Sequence, residues 1–260
     1  LMLSYQHVYH AGNFADVQKH ALLAWMLDYL TRKPKPLTYI ETHAGRGLYD
    51  LASAEAQKTQ EHLAGIDRLS AFIPEEHPFI RVLTATRAER GATFYTGSPL
   101  IATSLLRPED KKHFCELHPS EYAGLSSLLA KQAISLQNRD GFESAHALCP
   151  PLPRRGLMFI DPSYEVKTDY SDLPSHIAKI TKAWNVGVIA IWYPILRDDR
   201  HARMLERLHK AYPGAQRHEV TGVPARARHG MIGSGLFVIN PPFGLKQAAD
   251  DVAKVFQLAF

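Results

Sequence analysis

Asp161-Pro162-Ser163-Tyr164 is the most chemically pointed stretch of the sequence, because it directly follows the apolar run at 156–160. An amine bonded to an aromatic ring is a poor nucleophile, since its lone pair is delocalised into the ring. A carboxylate and a nearby backbone carbonyl that accept both N–H bonds favour a more tetrahedral and more reactive nitrogen. Asp161 supplies the carboxylate, Pro162 the carbonyl, and the proline ring fixes the turn. Tyr164 offers a flat face on which an extruded base can stack. An ordinary Asp-Pro turn at a strand end carries the same residues. Asn240-Pro241-Pro242-Phe243 is a rival with the same outline.

Other residues with chemical potential fall at the ends of strand-like runs. Glu41-Thr42-His43-Ala44-Gly45-Arg46-Gly47 follows the first, and its glycines let a ligand approach the backbone closely. Glu116 closes the second, where folds of this kind hold an acid for ribose hydroxyls. Asp140-Gly141 closes the third and is placed to meet an adenine amine. The pattern Gly-x-Gly-x-x-Gly is absent, which disfavours a dehydrogenase. The 14 histidines show neither His-Glu-x-x-His nor a Cys/His quartet, so no metal site is expected. Basic residues crowd 197–228, and Arg226 and Arg228, in a Gly/Pro-bounded loop, are candidates for phosphate contact.

The elements that must position these groups alternate. Strand-like runs at 37–41, 113–117, 134–137, 156–160, 186–192 and 236–239 are near-continuously apolar, as a sheet covered on both faces requires. The fifth is read as stopping at Tyr193-Pro194. Helical spacing recurs between them, at 16–31 and at Leu125/Leu128/Leu129, Ile177/Ile180/Trp184 and Leu205/Leu208/Tyr212. This is a doubly wound α/β sheet, whose ligands sit at the carboxyl ends of the strands. The first two strands are too far apart for one crossover. Residues 48–97 are therefore expected to form a helical insertion subdomain within a domain made of 1–47 and 98–260, with Ser98-Pro99 opening the next helix.

Composition is that of an ordinary globular chain: 260 residues, 45% hydrophobic, 22% charged, net charge +4. Cys115 and Cys149 form no disulfide or zinc pattern. No basic-then-apolar leader and no membrane-length apolar run is evident, and Met2 reads as the natural start; a cytoplasmic protein without a membrane partner is expected.

The turn at 161–164 resembles the Asp-Pro-Pro-Tyr motif of amino-group methyltransferases. Their sheets carry it after the fourth of seven strands, which selects Asp161 over Asn240. Further blocks run through nearly the whole chain: Leu3-Ser4-Tyr5, His10-Ala11-Gly12-Asn13, Lys19-His20, Thr42-His43-Ala44-Gly45, Gly97-Ser98-Pro99-Leu100, Glu116-Leu117-His118-Pro119, Lys167-Thr168-Asp169-Tyr170 and Trp192-Tyr193-Pro194. With these the sequence resembles the bacterial 23S ribosomal RNA adenine-N6 methyltransferases known as the J family.

The resemblance implies a Rossmann-like, seven-stranded class I methyltransferase sheet with a small helical insertion. S-adenosylmethionine would be held at His20, His43, Ser98, Glu116, Asp140, Gly141 and Asp161, with Asp161 the proton acceptor. Tyr5 is associated with the RNA, and Lys19 lies in the same N-terminal motif. The substrate would be 23S rRNA before full assembly of the large subunit. Ser163 departs from the motif's second proline and loosens the turn that carries Tyr164. Rival acceptors are DNA adenine, a cytosine amine or a protein glutamine; a non-enzymatic RNA- or nucleotide-binding module is the other alternative.

Overall fold

The computed structural model describes residues 5–166, 168–222 and 230–260. Its frame is a seven-stranded sheet built from β1 (Thr38–Glu41), β4 (Lys111–Cys115), β5 (Ser135–Gln137), β6 (Gly156–Ile160), β7 (Val188–Leu196), β8 (Gln216–Thr221) and β9 (Met231–Ile239), in the order β5-β4-β1-β6-β7-β9-β8. The first five pair in parallel, and β9 runs antiparallel to both β7 and β8. All five residues of β6 are buried, as its unbroken apolar run requires. This is the expected class I methyltransferase sheet.

Two strands depart from the reading of the sequence. β7 does not stop at Tyr193-Pro194 but continues to Leu196. Its pairing with β6 ends at Ile191, whereas its pairing with β9 continues through Pro194 to Leu196. Beyond Ile191 one side of β7 has no strand partner among the described residues, so on that side the missing N–H of Pro194 costs no ladder bond. β8 was not legible: it is an edge strand whose Gln216-Arg217-His218-Glu219 are only partly buried or exposed.

The helix α1 (Phe14–Thr31) is capped by Asn13, whose side chain accepts the Asp16 N–H. It packs against α5 (Pro78–Arg90), α6 (Ser98–Leu105), α11 (Leu245–Ala259) and β9. Covered on so many sides, its residues 15–24 are all buried, including Asp16, Lys19 and His20. Between β1 and α6 the chain forms β2 (Leu48–Asp50), α2 (Ala54–Thr59), α3 (Glu61–Ala64), α4 (Ile66–Leu69), α5 and β3 (Phe94–Thr96), with β2 and β3 paired antiparallel. Ile66, Leu69, Phe79 and Leu83 of this stretch join the same apolar core as Leu23 and Leu27 of α1. Three further helices flank the sheet: α7 (Pro119–Leu128), α8 (Gly141–Leu148) and α9 (Asp169–Ala183); α10 (Ala202–Ala211) precedes β8.

Candidate active site

The carboxyl ends of β1, β4, β5 and β6 deliver Glu41, Glu116, Asp140 and Asp161 to one edge of the sheet. Asp161 is not free there. Its Oδ2 lies 2.7 Å from Lys19 Nζ, and the same ammonium is 3.1 Å from Asp16 Oδ1. Lys19 also stands over the Trp192 ring, 4.7 Å from its centroid. Asp16 is wholly buried and accepts the Gly12 N–H at 2.9 Å and His7 Nε2 at 2.8 Å. Burial alone would raise its pKa, but His7 and Lys19 outweigh that and hold it well below the usual carboxylate range. Burial likewise opposes charge on Lys19, yet Asp161 and Asp16 hold its pKa above the ordinary value. A buried ammonium shared by two carboxylates follows from this geometry.

A cavity of about 370 Å³ opens over this pair, lined among others by Tyr5, Asp16, Lys19, Ser163, Tyr164 and Trp192. Tyr5 hydroxyl pairs with His7 Nδ1 at 2.8 Å, and its ring stacks on His10. Tyr164, at φ +55°, donates its hydroxyl to the Trp192 carbonyl at 2.6 Å, in the gap left where β6 and β7 part. One face of its ring is covered by Tyr170, with centroids 4.6 Å apart.

On the β4–β5 side, Glu116 accepts the backbone N–H groups of Gly45 and His118, each at 2.7 Å. Burial raises its pKa against those bonds. Asp140 caps α8: its Oδ1 accepts the N–H groups of Phe142 and Glu143 at 2.9 Å, and its Oδ2 has no hydrogen-bond partner among the described residues. Gly141 is required for close approach, since a Cβ there would lie 2.1 Å from the Thr42 carbonyl oxygen. Two acids with lone pairs left over, beside a 45% exposed Leu117, have the acceptor and apolar chemistry that fits a nucleoside's hydroxyls, amine and ring.

The family described as "Ribosomal RNA large subunit methyltransferase D, RlmJ" matches residues 34–259. The chain belongs to this family. It is 41% identical over 258 residues to ribosomal RNA large subunit methyltransferase J of Escherichia coli (strain K12), covering 96% of this chain and 91% of that protein. The Haemophilus influenzae protein of the same name is 37% identical, with 96% and 92% covered. The crystal structure of protein LPL1258 from Legionella pneumophila superimposes with a TM-score of 0.89 at 36% identity, over 96% of this chain and 94% of that one.

In this RlmJ-family member, the remaining site residues read from the sequence fall in distinct places. His43 pairs its Nδ1 with the Thr42 hydroxyl at 2.7 Å, and burial lowers its pKa to about 4. His20 turns toward the 48–97 stretch, where Nδ1 meets the Tyr95 hydroxyl at 2.7 Å and the ring lies against Phe79. Burial lowers its pKa to about 3, so it is neutral at physiological pH. Ser98 donates its hydroxyl to Glu41. Arg226 and Arg228 lie outside the described residues. Among the other basic residues of that region, Arg200 lines the cavity but is paired with Asp198.

Sequence reasoning missed the joining of Lys19 to Asp161 and the role of Glu41. Glu41 is fully buried, and its carboxyl also meets the Tyr39 hydroxyl at 2.9 Å. Burial raises its pKa to about 8, against the bonds from Ser98 and Tyr39. The available signal was a charged residue inside an otherwise apolar strand or helix, which must find a partner. The rival turn is disposed of by direction. Because β9 runs antiparallel, Asn240 emerges at the opposite edge, where its side chain donates to the Asn185 and Gly187 carbonyls at 3.0 and 2.9 Å.

Proposed function

We propose that the chain methylates N6 of an adenine in 23S ribosomal RNA, using S-adenosylmethionine. The observation that carries this reading is the Asp161 carboxylate, set by Lys19 at 2.7 Å beside a cavity walled by Tyr164 and Trp192. Lys19 occupies Oδ2 and fixes the carboxylate plane, leaving Oδ1 for one hydrogen of the target amine. The Pro162 carbonyl takes the other. As the nitrogen gains a bond, Asp161 stabilises the positive charge and receives the proton at Oδ1. The bound donor supplies a methyl group on a sulfonium that is already electrophilic. Tyr164, stacked on Tyr170 and held by its hydroxyl to the Trp192 carbonyl, lines the cavity that would receive the adenine.

Glu116 would hold the donor's ribose hydroxyls, Asp140 its adenine amine, and Gly141 the close passage of its ring. His43, Ser98 and His20 complete the donor side, Ser98 positioned by Glu41. Tyr5 and Lys19 form the RNA-facing wall with Tyr164, and Arg226 and Arg228 contact phosphates. Residues 48–97 act as a helical insertion on a domain formed by 1–47 and 98–260. The enzyme works in the cytoplasm on RNA not yet fully assembled into the large subunit. Incubation with donor and protein-free 23S rRNA, assembled subunits, plasmid DNA or a glutamine peptide, followed by nucleoside and peptide mass analysis, tests the reading. N6-methyladenosine in the free RNA alone is expected; methylation of DNA or glutamine in its place overturns the proposal.

A further inference from the structure

The edge of the sheet opposite the candidate site carries a concentration of positive charge that the chemistry does not use. Three parallel neighbours, β4, β1 and β6, begin there side by side, so the segments leading into them converge although they are distant in sequence. They bring Lys33, Lys35, Arg107, Lys111, Arg154 and Arg155 together. The cluster is built, because two arginines tie its backbone. Arg107 donates to the carbonyls of Lys33 at 3.0 Å and Lys35 at 2.9 Å, and Arg155 donates to Lys35 at 2.9 Å. With their carbonyls fixed and Pro34 and Pro36 limiting the loop, Lys33 and Lys35 are exposed on a stiff segment.

Compensating acids are few. Asp110 is buried and spent on Arg107 and the Leu37 N–H, and Glu109 stands 3.6 Å from Arg107. Lys33, Lys35 and Lys111 make no ion pair among the described residues. The Arg155 pKa is lowered, first by burial and then by the neighbouring Arg107 charge. Such a surplus of unpaired cations on a rigid edge is complementary to a run of phosphates. Three strand positions about 4.8 Å apart give a row about 10 Å long, enough to face several backbone charges.

We propose that this basic edge, formed by Lys33, Lys35, Lys111 and Arg154, is a second RNA-docking surface that grips the phosphate backbone of substrate RNA away from the methylated adenine. The inference rests on RNA being the substrate. Strands β1 and β6, only four and five residues long, separate the two edges by roughly 15 Å. RNA whose target base enters the cavity can therefore reach the basic edge with a flanking helix. A fragment holding only the target loop cannot.

The test compares wild type with a Lys33→Ala/Lys35→Ala/Lys111→Ala variant on two RNAs, a minimal target stem-loop whose stem is too short to span the roughly 15 Å to the basic edge, and a long fragment with its flanking helices. S-adenosylhomocysteine titration confirms the fold, and the corresponding triple Arg variant keeps the charge. The Ala variant is expected to bind the long fragment about tenfold more weakly, with a salt slope shallower by about 2, at roughly 0.7–0.9 per lost phosphate contact. Binding of the stem-loop is expected to be unchanged, and the Arg variant to match wild type. An unaltered affinity and slope on the long fragment overturns the proposal. So does an equal loss on both RNAs, which would put the effect at the catalytic mouth. Wild-type methylation of the long fragment separately tests the substrate, so a failure there is distinguishable from a failure of the surface.

Discussion

Lys19 and Glu41 show how much of this site is set by single buried groups. Lys19→Met leaves Asp16 and Asp161 facing each other without their shared cation. Breaking a buried pair in this way costs about 3–5 kcal/mol, and denaturant unfolding should show a loss of that order, largely restored in Lys19→Arg. Glu41 provides a pH signature. Its folded pKa, about 8, is raised above the ordinary carboxylate value, so the folded state holds the proton more tightly than the unfolded one. Stability therefore falls as pH rises from the unfolded value to about 8 and then levels. Buried His20 and His43 act in the opposite sense, with folded pKa values of about 3 and 4; their contribution is lost only as pH falls below about 6.5. Burial opposes charge on His10, but the Glu61 bond outweighs it and raises the pKa; His10, and the buried histidines in the unfolded state, also titrate near pH 6.5. The Glu41 effect, roughly 2 kcal/mol between pH 6.5 and 8, is therefore isolated by the difference between wild type and Glu41→Gln. Relative to Glu41→Gln, wild type should lose about that much stability across the window. A decline of equal size in both proteins would remove Glu41 as its source.

At the scale of elements, legibility followed burial. β1 and β6, buried throughout, were readable from their composition, whereas the partly exposed β4 and the edge strand β5 were readable mainly from the His118-Pro119 and Asp140-Gly141 turns that follow them. β8 was hidden because an edge strand needs no such run. β7 was cut short because Pro194 is harmless only where a neighbouring strand has already ended, a fact of pairing rather than composition. Asp161, Glu116 and Asp140-Gly141 could be located by strand order, whereas the bond from Lys19 depends on how α1 packs. The junction of β1 with α8 gives a test of this order. Gly141→Ala places a methyl 2.1 Å from the Thr42 carbonyl, so α8 must shift. Loss of about 1–3 kcal/mol of stability is expected, together with at least a tenfold weaker S-adenosylhomocysteine affinity by calorimetry. Unchanged affinity in a displaced α8 would separate Asp140-Gly141 from the donor site.

Over the whole molecule, the direction of the strands divides the labour. Parallel strands send their acids to one edge, and the antiparallel β9 carries Asn240 to the other. Asn240→Ala should therefore lower stability through two lost hydrogen bonds, about 1–3 kcal/mol, while the methylation rate of the folded enzyme stays within about threefold of wild type. The 48–97 stretch shares its core with α1, the helix that also supplies Lys19 to Asp161. The 48–97 stretch and the Asp161 carboxylate thus both meet α1, a link that no local pattern in the sequence could display.

In the proposed mechanism Asp161 accepts one hydrogen of the target amine and, during transfer, the proton that the nitrogen releases. The most direct test is single-turnover methylation of a protein-free 23S rRNA fragment by Asp161→Asn, with donor and RNA saturating. The amide keeps an acceptor oxygen but loses the charge, so the rate is predicted to fall by at least about a hundredfold, with the fold intact. A rate near that of wild type would contradict the account.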